Sequence, residues 1–93
     1  MAKTIDEVCT PPIAEALSAC PATEVSEPFL VCMIKRMHMS WHKYGSIAGA
    51  FPHNVNAVKS ALGCIKKYLK TGNLEYLVDA ANYLMIEAKL PRL

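Results

Sequence analysis

The tetrapeptide Thr71-Gly72-Asn73-Leu74 constrains this chain more than any other feature. Apolar residues recur with helical period on both sides of it: Val55, Val58, Leu62, Ile65 and Leu69 before, and Leu74, Leu77, Val78, Ala81, Leu84, Met85 and Ala88 after. Gly72 supplies the left-handed residue that ends one helix, and Asn73 is of the type that caps the start of the next. So short a connection sends the second helix back along the first. The spacing predicts an antiparallel helical hairpin over about 54–70 and 73–89, with both apolar stripes turned inward.

Upstream, a second helical period runs from Phe29 to Tyr44. Leu30, Met33, Ile34, Met37, Trp41 and Tyr44 fall on one stripe, which predicts a helix over about 28–44. Ser26 is its expected N-cap, and Pro28 is tolerated in the first turn. "YGSIAGAFPHN" is the loop that follows, and Asn54 or Asn56 caps the next helix. Nearer the start, "CTPP" opens a short helix with Thr10 as N-cap and Pro11 in the first turn, running to about Ala19. "PATEVSEP" reads as linker, so residues 1–27 form a short helix and its tether. No stretch alternates as a strand does. The expectation is one all-α domain over 1–93: a bundle of three main helices with a shorter N-terminal one.

Hydrophobic residues make up 53% of the chain, and several lie off the main stripes: Cys32, Met39, Tyr76 and Tyr83. Helices that are apolar on more than one side predict a covered surface, most simply a homo-oligomer. No apolar run reaches the roughly 20 residues that span a bilayer, and "MAKTIDEVCTPP" lacks the basic-then-apolar plan of a signal peptide. A cytosolic protein with no membrane partner is expected. Cys9, Cys20, Cys32 and Cys64 include no C-x-x-C pair and are expected to be free, mostly buried thiols.

The net charge of +2 conceals an asymmetry. Between Pro28 and Leu74 there is no acid at all, while Lys35, Arg36, Lys43, Lys59, Lys66, Lys67, Lys70 and all three histidines lie there. Lys59, Lys66 and Lys70 share one helix face, with Lys67 beside them. That face suits phosphates, a protein or nucleoprotein surface built to receive them, or the acidic ends of a neighbouring chain. His38 and His42 stand one turn apart, a spacing that can chelate a transition metal. With no third ligand in sequence they read as an interface pair beside Lys43. Ser40, Ser46 and Ser60 carry no nucleophile signature.

On the last helix Glu75, Asp79 and Asn82 follow one another at spacings of four and three. Carboxylates one turn apart can hold a hard cation such as Mg²⁺. They equally suit polar contacts with a neighbouring helix. Asp and Asn are poor helix formers in mid-helix, which calls for such a reason.

"WHKYG" followed by "TGNLEYLVDAANYLMIE" resembles small helical phage and prophage proteins related to the MazG-like all-α nucleotide pyrophosphohydrolases, over roughly residues 29–89. The resemblance implies a helical dimer or tetramer, Mg²⁺ held by acids from two helices, and cleavage of nucleoside triphosphates to monophosphates. Glu75 and Asp79 match acids of the family's second acidic motif. Tyr76 stands where that motif has a Glu, and the first acidic motif would fall between Val55 and Lys70, where there are four lysines and no acid. The resemblance therefore implies a degenerate metal site. The expected function is a non-catalytic interaction protein, with no cofactor, whose basic middle engages an anionic or nucleic-acid-binding partner. By analogy with small phage proteins, an inhibitor of a host defence complex, in the manner of anti-CRISPR proteins, is one such role. The alternative is a surviving Mg²⁺-dependent pyrophosphohydrolase.

Overall fold

The computed structural model describes residues 12–93, and among them the chain is all-helical, with no strand. Helix α1 spans Ile13–Ala19, α2 Glu27–Tyr44, α3 Ala57–Thr71 and α4 Glu75–Lys89, with a single 3₁₀ turn at Ile47–Gly49. The first helix begins at Ile13 with Pro12 in the N-cap position and no side-chain cap, later than the start expected at Thr10; Thr10 and Pro11 themselves, and Cys9, lie outside the described residues.

Local chemistry sets these boundaries. The Ser26 hydroxyl accepts the Phe29 N–H at 3.2 Å, which satisfies an orphan donor in the first turn of α2. Gly45, at φ 83°, ends α2 while its N–H donates to the Trp41 carbonyl. Asn56 caps α3 by accepting the Lys59 N–H at 3.1 Å. Asn54 caps nothing, and instead its side-chain amide donates to the Gly49 carbonyl at 3.3 Å and ties the loop together. Gly72 ends α3 at φ 69°, and the Asn73 side chain accepts the Glu75 N–H at 3.0 Å to start α4.

The three-residue link makes α3 and α4 an antiparallel hairpin, the most closely associated pair of helices, and α2 lies on α4. Which faces meet differs from the sequence expectation. The hairpin closes through small residues, with Ala57 and Ala61 each 1% exposed and Ala80 also buried. The stripe expected inward on α3 is turned out. Val58, Leu62, Ile65 and Leu69 are exposed, the last at 75%, and Val55 is half-buried. On α4, Leu74, Leu84 and Met85 are exposed and Leu77, Ala81 and Ala88 half-buried, whereas Val78, Ala80, Asn82 and Ile86 are buried. The reason is steric. Alanines near the start of α3 let its backbone approach a neighbour closely there, which bulky branched side chains at those positions would prevent.

Helix α2 contributes no buried residue. Leu30, Met33, Ile34, Met37, Trp41 and Tyr44 do share one face, as their spacing predicts, but that face borders an open groove of about 1310 Å³ against α4. Ile34, Trp41 and Tyr44 stay exposed there. Cys20 and Cys64 are half-buried and Cys32 exposed, all three free, so the described thiols are less buried than expected. The core of the single chain is thin, with no large side chain fully enclosed among the described residues.

Because the Asn56 side chain accepts an otherwise orphaned N–H in the first turn of α3, Asn56→Ala is expected to lower stability by about 1 kcal/mol. Urea denaturation followed by circular dichroism measures this, and Asn54→Ala should fall short of it.

Candidate functional site

The polar line of α4 meets α2. Asp79 accepts two hydrogen bonds from one guanidinium, from Arg36 Nε at 2.6 Å and from its Nη2 at 3.1 Å. Glu75 stands one turn earlier, with its carboxylate 3.9 Å from Arg36 Nη1. Planar two-point pairing of this kind is stronger and more directional than a simple ion contact. Asp79 is about a quarter exposed and Arg36 somewhat more, so the pair keeps part of its strength against screening. The hydrogen bonds to Asp79 raise the Arg36 pKa above its ordinary value, against the opposing pull of desolvation. One guanidinium thus holds Asp79, with the exposed carboxylate of Glu75 at the outer limit of ion-pair distance.

Asn82, one turn further along, is 6% exposed and its amide nitrogen donates to the Met33 carbonyl of α2 at 3.1 Å. Its side-chain oxygen has no protein partner. Asp79 and Asn82, unfavourable in mid-helix on propensity alone, are therefore the two points where α4 clips α2 in place. Arg36 is the partner that sequence reasoning missed. Its signal was available: the lone arginine of an acid-free segment, on a helix that had to find a neighbour.

The lysines of α3 are all exposed. Lys59, Lys66 and Lys70 form the outer edge of the hairpin, directly beside the uncovered stripe of Val58, Leu62, Ile65 and Leu69. Lys67 lies round the helix from them, with its ammonium 5.8 Å from the centre of the Tyr76 ring of α4, a cation–π contact. His38, His42 and Lys43 sit apart on the last turns of α2. The two imidazole Nε2 atoms face each other at 3.2 Å, Trp41 packs against both rings, and Lys43 lies over Tyr44. His53 is exposed in the loop between α2 and α3. Among the described residues no three His, Cys, Asp or Glu side chains converge on one point.

Two half-buried groups, both weak acids, lie within electrostatic reach of Asp79. Burial raises the pKa of the Cys64 thiol, with the negative charge of Asp79 adding to it and Lys67 and Arg36 opposing. Burial likewise raises the Tyr83 hydroxyl, with smaller contributions from Cys64, Asp79 and Tyr44. No helix among the described residues is long and apolar enough to cross a membrane. Comparison with known protein families, curated proteins and solved structures returns no match to this chain.

Replacing Asp79 by Asn keeps the shape but removes the charge that holds Arg36, and should cost about 1–3 kcal/mol. Urea titration gives the number, and a change under about 0.5 kcal/mol would mean that the pair holds nothing together. The raised acids set a second expectation. A folded pKa above the unfolded one gives stability that is complete below the unfolded value, about 8.5 for a thiol and about 10 for a tyrosine, and is lost as pH rises through the folded value. The urea midpoint should therefore fall between about pH 8 and pH 11, with Cys64→Ala flattening the first part of the decline.

Proposed function

We propose that this chain is a non-catalytic helical interaction protein that works as a homodimer and engages an anionic partner through the lysine edge of α3. The observation that carries the reading is a surface with no use in a monomer: the uncovered apolar stripe of α3 running beside a row of lysines. Val55, Val58, Leu62, Ile65 and Leu69 alternate at spacings of three and four, the a/d pattern of a helical seam. Leu74, Leu77, Ala81, Leu84 and Ala88 repeat the pattern on α4. On each helix the stripe lies about a quarter turn from the alanine seam, at roughly 100° per residue. The two helices run in opposite directions, so these offsets place both stripes on one side of the hairpin.

The six exposed large residues of that side, Val58, Leu62, Ile65, Leu69, Leu74 and Leu84, present on the order of 600 Å² per copy, against about 800 Å² from each partner in a standard interface with its polar rim. A second copy brings an identical face, and a two-fold axis makes that face self-complementary. Four helices then enclose a core of leucine, isoleucine and valine that the single chain lacks. Lys59, Lys66 and Lys70 remain at the rim, where they can meet phosphates or a protein site made for nucleic acid. Lys43, with His38 and His42 beside it, would extend the partner-binding surface onto α2. A small cytosolic protein of this design fits the inhibitor role that the phage-type resemblance implies, including inhibition of a host defence complex, by occupying a site meant for phosphates.

The resemblance to MazG-like pyrophosphohydrolases carries the helical scaffold further than the chemistry. With Asp79 and Glu75 on Arg36 and no acid on α3, a Mg²⁺-dependent cleavage of nucleoside triphosphates has little to stand on. Incubation with dNTPs and Mg²⁺ should yield no monophosphate. Product that disappears in Asp79→Asn would restore the enzyme.

Sedimentation velocity tests the assembly. The wild-type chain should run as a dimer, and Leu62→Glu with Leu69→Glu should leave a folded monomer. A wild-type monomer at tens of micromolar overturns it. Fluorescence anisotropy with a labelled single-stranded oligonucleotide tests the lysine edge. Replacing Lys59, Lys66 and Lys70 by Ala should weaken binding about tenfold or more and flatten its salt dependence.

A further inference from the structure

We propose that His38 and His42 form a two-imidazole clamp for a divalent transition metal, Zn²⁺ or a cation of the same class such as Ni²⁺. The two residues stand one turn apart on α2, and their Nε2 atoms are 3.2 Å apart. A zinc ion bonds imidazole nitrogen at about 2.0–2.1 Å, so an ion equidistant from both nitrogens subtends an N–metal–N angle of roughly 100°. That is close to tetrahedral and within reach of square or octahedral geometry. A modest tilt of the two rings turns both lone pairs from each other toward the ion.

The alternative occupant of that space is one proton. With the nitrogens facing each other, one ring donates and the other accepts, the roles depending on the tautomer, and the shared hydrogen lies between them. Metal binding uses both Nε2 lone pairs, and the donor ring's hydrogen moves from Nε2 to its own Nδ1. The pair is also held in position. The rings meet edge to face at 87° with centroids 4.6 Å apart, and the Trp41 ring lies 5.2 Å from His42 and 6.3 Å from His38. A rigid helix and a flanking indole fix the geometry before the ion arrives. That preorganisation lowers the ordering cost of chelation, and it makes the second nitrogen's attachment effectively intramolecular.

Both histidines are exposed, so a hydrated ion reaches them without disturbing the core. Two ligands are all that the described residues bring together. The remaining coordination positions are filled by water or by a donor from another molecule. The clamp is thus an open site and not a closed structural one. Imidazole nitrogen suits zinc, nickel and copper, and does not suit Mg²⁺ or Ca²⁺. The site is separate from Glu75 and Asp79 and from the lysine edge, and it stands or falls independently of the assembly proposed above.

The test is isothermal titration of the full chain with ZnCl₂ in a non-thiol reductant. A parallel NiCl₂ titration follows the fluorescence of Trp41, the only tryptophan in the chain. Saturable uptake is expected, with quenching of Trp41. His38→Ala and His42→Ala should each weaken it about tenfold or more, since one imidazole alone loses the chelate. His53→Ala and Cys32→Ser should leave it in place, and circular dichroism checks that each variant stays helical. Three results would overturn the site: no saturable uptake up to millimolar metal, uptake that survives both histidine replacements, or uptake lost with Cys32 and not with the histidines. One ion per chain or one per two chains both support the clamp, the second locating it where two copies meet.

Discussion

The hold of α4 on α2 depends on one arginine. Helix α2 is the longest element and buries none of its residues, so hydrophobic contact with the hairpin alone gives it little orientation. Arg36 supplies that orientation by grasping Asp79 at two points, and Asn82 adds a third through the Met33 carbonyl. Directional bonds of this kind define a register that greasy contact does not. They also give Asp79 a partner inside the chain, with two of the guanidinium's N–H groups on its carboxylate.

The hairpin follows a different logic. Its most deeply buried positions on α3 are Ala57 and Ala61, small residues that allow close backbone approach but bury little apolar area. The larger side chains are displaced to an outer face, where they accumulate as a stripe with the spacing of a helical seam. A chain that keeps its leucines outside has placed much of its apolar surface beyond its own reach. The proposed dimer gives that surface a use, and the lysines beside it account for the acid-free middle of the sequence. The histidine clamp on α2 belongs to another part of the molecule and draws on neither feature.

How legible each part was depends on how local its cause is. Ser26, Asn56 and Gly72 act within a few residues, through caps and a left-handed backbone, so the helix limits were readable to within a few positions. The face directions were not. Helix α3 carries two candidate stripes, one of Ala57, Ala61, Cys64 and Tyr68 and one of branched residues, and hydrophobic strength favoured the wrong one. Periodicity says that a face is apolar and nothing about whether its cover lies in the same chain. Of the candidate site, the alignment of Glu75, Asp79 and Asn82 was visible, and so was the one-turn spacing of His38 and His42. Arg36 as the partner of two acids, and the 3.2 Å between the imidazole nitrogens, were not.

The sequence by itself determined an all-helical chain, where its main helices start and stop, and the antiparallel course of α3 and α4. Each rests on backbone geometry and hydrogen bonding over three or four residues. Only the tertiary structure decided that alanines close the hairpin, that the leucine stripe faces outward, and that the acids of α4 serve α2. Those outcomes depend on which of several similar surfaces reaches its neighbour first and fits it most closely. That is a question of shape in three dimensions, and the order of residues along one helix does not contain it.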